Sequence, residues 1–288
     1  MQCRTAKELF FMNLLYLIDF YVENSLKFTG VNYDDKLCHF KYFAGKTLTV
    51  ATISDYCQYR TLQGVKNSTI NRELTFVRSA VNFHNKHHDI QIKNPLNGFK
   101  LFETDFIPRY LSPKECSALL AKAKDYNGND QLYHFINLLL NTGCRRGELL
   151  KLTWDNVHLD RGYLTVLNSL SKNRKTIHKP LNASALKSLQ YLKQDNPSPW
   201  VFYNEKTGKR RATFQAGFKT AVERAKLGNV RIHDLRHTFA SILVQQGTPL
   251  YHIMQLLGHS DIKTTQKYAH LSENILTSVV QSLPNFDS

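Results

Sequence analysis

Five residues of types that handle phosphate stand in three short segments. Arg145 lies in TGCRRGE, His233 and Arg236 in HDLRHTF, and His259 and Tyr268 in LLGHSDIKTTQKYAH. From His233 onward the spacings are 3, 23 and 9 residues. Neither a carboxylate pair nor a cysteine cluster accompanies them. Fixed cationic donors suit a phosphate, because they stabilise the charge that grows on phosphoryl oxygens in a transition state. A guanidinium fork stays charged and offers paired donors, so Arg145 and Arg236 match the two non-bridging oxygens of a phosphodiester. The phenol of Tyr268 is then a candidate nucleophile, able to turn a strand break into a covalent link that conserves the bond energy. A free phenol titrates at about 10, so attack at neutral pH needs a base and positive surroundings. His233 is the expected acid/base partner of Tyr268, with His259 donating to a phosphoryl oxygen.

The elements that must hold these residues read mainly as helices. Residues 5–27 form an amphipathic pattern through Leu9, Phe10, Leu14, Leu17, Ile18 and Tyr21; the apolar run LFFMNLLYLIDFYV within it is interrupted by Asn13 and Asp19 and is too short to span a bilayer. Further helices are expected over 31–43, 49–59 (capped near Thr49 or Thr52) and 67–87 (capped by Ser68 or Thr69). The pattern breaks at Lys93-Asn-Pro-Leu-Asn-Gly and resumes at Ser112-Pro113-Lys-Glu115, a capping box with proline at the first helical position. The predicted domains are therefore a helical bundle over 1–98, a linker over 99–109 and a second domain over 110–288.

In that second domain, residues 133–141 read as an apolar helix stopped by Gly143, and a new helix starts at Arg145. Tyr163–Leu167 and Thr176–Leu181 read as a hairpin around Ser-Leu-Ser-Lys-Asn-Arg. Helices are expected at 183–194, 212–226, 234–246, 249–257, 261–268 and 273–283. In a helix, His233 and Arg236 would share one face. The fold class is mainly α with a small antiparallel β-hairpin or sheet, an α+β chain.

Charge points to the partner. The net charge is +15 with pI near 9.6, and it is unevenly placed. Residues 1–105 hold 13 Lys/Arg against 10 Asp/Glu, whereas 106–288 hold 25 against 13. A polyanion such as DNA is the expected ligand. Hydrophobic residues at 42% suffice for real cores and exclude a disordered chain. Cys3, Cys38, Cys57, Cys116 and Cys144 are odd in number and spread apart, which argues against a zinc module or disulfide framework and for a reducing cytoplasm.

TGCRRGELLKL, HDLRHTFAS and LLGHSDIKTTQKYAH resemble the signature segments of the tyrosine recombinases, the lambda-type integrases and Xer recombinases, in the family's order. The resemblance covers about residues 112–272. The N-terminal bundle is similar to the family's core-binding domain in length, position and helical character. By resemblance, Arg145, His233, Arg236 and His259 are catalytic, and Tyr268 is the nucleophile. Glu148 matches a supporting acidic position. The family also uses a hairpin lysine. Lys172, eight residues before Pro180, is the candidate, and Lys175 the second choice.

The resemblance implies a two-domain C-shaped clamp that recombines specific double-stranded DNA sites. It would act as a homotetramer, through a 3′-phosphotyrosine and a Holliday junction, without metal, ATP or other cofactor. Accessory proteins are possible partners, a membrane is not, and the nucleoid is the expected location. The segment 274–283, apolar at Ile275, Leu276, Val279, Val280 and Leu283, would cap its own core or dock on a neighbouring subunit. A type IB topoisomerase shares this chemistry, and a DNA-binding regulator with a decayed site is a further alternative.

Overall fold

The computed structural model describes residues 14–29, 34–89, 91–103, 108–124, 130–167, 176–272, 280–281 and 283–284. The chain divides into two compact units, residues 1–106 and 107–288. The hairpin tip with Lys172 and Lys175, and residues 273–279, lie outside the described residues.

The first unit is helical: α1 (Leu14–Thr29), a 3-10 segment (Asp34–Phe43), α2 (Val50–Leu62) and α3 (Asn67–His87). Leu14, Leu17, Ile18, Tyr21 and Val22 recur at helical spacing on α1 and are buried with Ile70, Leu74, Val77 and Val81 of α3. Thr49 caps α2, its side chain accepting from Thr52 N. The caps expected for α3 are corrected. Lys66 takes the N-cap without a side-chain bond, because the helix starts at Asn67 and leaves Ser68 and Thr69 inside its first turn. The aperiodic stretch after α3 is tied back to it by asparagines. Asn71 Nδ2 donates to Phe102 O at 2.8 Å, and Phe102 N donates to Asn71 Oδ1 at 2.9 Å.

The second unit is mixed. It begins with α4 (Pro113–Lys124), closed by the Ser112–Glu115 capping box. Then come α5 (Gln131–Thr142) and α6 (Arg146–Leu150). Strands β1 (Val157–His158), β2 (Tyr163–Leu167) and β3 (Thr176–Pro180) form an antiparallel sheet in that order, one strand more than the hairpin expected. Leu164 pairs with Lys179.

Next are α7 (Ala183–Lys193), α8 (Gln215–Arg224), α9 (Ile232–Gln245), α10 (Leu250–Leu257) and the one-turn α11 (Lys263–Gln266). Two cores result. The larger contains Phe135, Ile136, Leu139, Leu189, Phe202, Phe218 and Leu235. The smaller contains Ala240, Val244, Ile253, Leu257 and, unusually for a polar side chain, Tyr268. Two boundaries differ from expectation and matter for the site. α9 starts at Ile232, placing His233 in its first turn, and α11 ends before Tyr268. Among the described residues, no helix is long and apolar enough to cross a membrane.

Candidate active site

Two helix ends frame the site. α5 stops at Gly143 (φ 58°) and α10 at Gly258 (φ 68°), the left-handed conformation that glycine adopts most easily. At Gly143 space also favours glycine, because a Cβ would collide with the Phe239 ring, whereas one on Gly258 would meet only the terminal methyl of Ile177. Arg145 follows the first break by two residues, and His259 directly follows the second.

Helix C-termini leave carbonyl oxygens without partners and carry partial negative charge. Two buried cations meet those oxygens. Arg236, on α9, donates from Nη1 to Gly143 O and from Nη2 to Leu257 O, each at 2.7 Å. Lys179, on β3, donates from Nζ to Leu256 O at 2.6 Å and to Thr142 O at 3.4 Å. These bonds join the ends of α5 and α10, and hence the segments bearing Arg145 and His259. Burial pulls the Arg236 pKa down to about 10, and neighbouring Arg145 adds to the effect. Burial lowers Lys179 as well, with Arg236 and Arg145 contributing and Cys144 and Glu148 opposing. Among the described residues, neither cation forms an ion pair with a carboxylate.

Arg145 is the extended N-cap residue of α6. Its backbone N–H donates to Glu148 Oε2 and its Nη1 to Glu148 Oε1, each at 2.7 Å. Glu148 thus fixes the direction of the guanidinium, which stays partly exposed. His233 is exposed, and its ring meets that of His237 edge-on at 4.8 Å. Partial loss of hydration, then Arg236 and Lys267, lower its pKa. His259 is joined through Nδ1 to Thr265 Oγ1 at 2.9 Å. Burial first, then Arg236, Arg145, Lys267 and Lys179, hold its pKa down at about 3. Of the sequence-predicted residues, Arg236 and Arg145 thus lie close enough to act on His259.

Tyr268 is 1% exposed, and its phenol is pushed up to about 12 by burial against a smaller lowering by Arg236. Its hydroxyl lies 2.5 Å from His237 Nδ1. The structure therefore puts His237, and not His233, on the Tyr268 hydroxyl. His237 is 2% exposed and falls to about pKa 3, through burial first and then Lys267 and His233. The sequence held a signal for it, since His237 sits one helical turn after His233, at i+4. Lys179 also went unread. Its signal is a lysine at the single buried position of a short strand, visible only once the register is known.

A helical unit and a mixed unit, the latter with buried cations converging near a phenol, are the makeup of the tyrosine recombinases. Residues 109–274, more than half of the chain, match the phage integrase family. The chain belongs to that family and is a tyrosine-type site-specific recombinase.

Tyrosine recombinase XerC of Pseudomonas savastanoi pv. phaseolicola is 32% identical over 231 residues, 76% of this chain and 75% of that protein. Tyrosine recombinase XerD of Rhizobium meliloti is 31% identical over 261 residues, 83% and 82% of the two chains. The integrase of Salmonella phage P22 is 32% identical over 182 residues, but the match spans 59% of this chain and only 45% of that protein. Among solved structures, the Tn1549 transposon integrase in complex with a circular intermediate DNA superposes with TM-score 0.75 at 17% identity, covering 95% of this chain and 100% of that one. A lambda integrase dimer bound to a core site gives 0.67 at 18% identity over 88% and 97%. These structural likenesses establish the fold.

Proposed function

We propose that the chain cleaves and rejoins double-stranded DNA at a specific site through a 3′-phosphotyrosine at Tyr268. One observation carries this reading. A buried guanidinium, Arg236, and a glutamate-oriented one, Arg145, converge with His259 near a phenol that already touches a histidine. The two arginines hold the non-bridging oxygens, and Glu148 orients Arg145. His259 donates to a phosphoryl oxygen, and exposed His233 supplies a further contact to the phosphate. Lys172, or Lys175 in its place, protonates the departing 5′ oxygen. The 5′ hydroxyl of a second strand then reverses the step, so neither ATP nor a metal takes part.

The same reading extends to assembly. The residue 1–98 bundle and the 110–288 unit, joined by the 99–109 linker, both bind the duplex. Four copies exchange strands through a Holliday junction, with segment 274–288 docking between neighbours and accessory proteins optional. DNA as substrate places the protein with the nucleoid in the cytoplasm. The test is a duplex nicked next to the cleavage point, which traps the covalent product. Wild-type protein becomes attached to DNA, and Tyr268→Phe does not. Covalent capture by the Phe variant would overturn the assignment.

A further inference from the structure

The Tyr268 hydroxyl is buried, so its hydrogen must have an acceptor. The hydroxyl's partner is His237 Nδ1, at 2.5 Å. The pair is neutral in the DNA-free chain, because the phenol sits at about 12 and the imidazole at about 3. The O–H therefore donates to Nδ1, and the imidazole carries its own hydrogen on Nε2. From the geometry we infer that His237 is a catalytic residue: the general base that takes the phenolic proton of Tyr268 during attack on DNA and returns it when the phosphotyrosine is resolved. The inference rests on the strand-transfer reading above.

The step balances. As the Tyr268 Oη–P bond forms, the phenolic O–H bond breaks and its proton moves to His237 Nδ1. The bond from phosphorus to the 5′ oxygen breaks with its electron pair on that oxygen, which takes a proton from the acid proposed above or from solvent. In the resting chain the transfer is strongly uphill, which keeps the nucleophile silent. It becomes favourable along the attack, because a phenol oxygen bonding to phosphorus loses its hold on the proton.

The charged groups among the described residues that act on His237 shape this balance. Lys267, Arg231 and the neighbouring His233 disfavour the imidazolium, and Asp234 favours it. A phosphodiester brought against Arg236 and Arg145 adds negative charge and shifts the balance toward protonation. His233 lacks the contact with Oη that His237 has.

The test is single-turnover cleavage of the nicked duplex by the full chain in excess, from pH 6.5 to 9.5. His237 stays neutral throughout that range in the wild type. Without it, only hydroxide can remove the phenolic proton. His237→Phe is expected to be roughly 10²–10⁴-fold slower than wild type at pH 7, the usual worth of a general base. The deficit shrinks about tenfold per pH unit, as expected below a phenol pKa of about 12. His237→Gln can accept the hydrogen bond but not a proton, so it follows the same course while preserving local shape, with DNA binding by gel shift as the check on folding. Replacing the 5′ bridging oxygen by sulfur removes the need for a proton on the leaving group and should leave the deficit intact. A deficit constant across pH, a wild-type rate in His237→Gln, or rescue by the sulfur substrate would each overturn the role of His237. Failure of the wild type to form any adduct would instead sink the strand-transfer reading.

Discussion

The two units bury charge in opposite ways. In the helical unit Arg60 and Glu73 are both nearly buried and form a bidentate pair, Nε to Oε2 at 3.0 Å and Nη2 to Oε1 at 2.7 Å. Tyr56 donates to Oε2 at 2.9 Å, and Arg60 Nη1 reaches Gln63 Oε1. The network is closed, and the pairing with Glu73 raises the pKa of Arg60. In the mixed unit Arg236 and Lys179 are also buried, but among the described residues their hydrogen-bond partners are carbonyl oxygens, and burial lowers both. A matched pair holds a fold in one register and has nothing left to offer a ligand. A cluster of cations satisfied by dipoles alone keeps its net charge, so a phosphate completes it.

Substitutions can break this contrast, and the largest effect is expected at Arg236. Arg236→Lys keeps the charge but loses the fork that spans Gly143 O and Leu257 O. Adduct formation on the nicked duplex should fall by about 10³-fold or more, the cost of losing a preorganised transition-state contact. Noncovalent DNA affinity, read by gel shift, should change far less.

The helical unit should respond in the reverse sense. Glu73→Gln strands the Arg60 charge and should destabilise the first unit by roughly 3–5 kcal/mol in urea denaturation. Cleavage per folded molecule at saturating protein should stay within about twofold, because the mixed unit's fixed donors are untouched. The double change Arg60→Met with Glu73→Leu should recover most of the stability, since an apolar replacement of a buried pair is often neutral or better. The smallest effect is expected at Lys179. Lys179→Met removes one of the cations that depress His259, so the His259 pKa should rise while stability shifts by about 1 kcal/mol, the net worth of a hydrogen bond.

The same contrast explains what could be read from the sequence. Helices and breaks were legible where a local device fixed them: Ser112–Glu115 at one start, Gly143 at one stop, and the polar run Ser-Leu-Ser-Lys-Asn-Arg after Tyr163–Leu167. Arg145, His233, Arg236, His259 and Tyr268 were legible because type and spacing travel together along the chain. Partnership was not. Whether Tyr268 meets His233 or His237 depends on the rotation of α9 against the turn after α11, a tertiary fact. Lys179 looked like any strand lysine until the register turned it toward Thr142 and Leu256. The Arg60–Glu73 pair is 13 residues apart on two helices and has no local pattern. Ser68 and Thr69 show the converse, a good capping signal overridden by a helix that starts two or three residues earlier, at Asn67.

The claim that a phosphodiester completes an unbalanced cationic cluster is tested most directly by the titration of His259. In the DNA-free protein its pKa is held at about 3 by burial and four surrounding cations. It is therefore neutral at pH 5 to 8, and its contribution to folding is lost as pH falls below the ordinary histidine range toward that value. NMR titration of Tyr268→Phe, free and bound to an uncleaved duplex, reads the change without chemistry. The account predicts that bound DNA raises the His259 pKa by at least about one unit, the effect of an anion placed within the cluster. An unchanged His259 pKa in a complex that demonstrably binds DNA would contradict it.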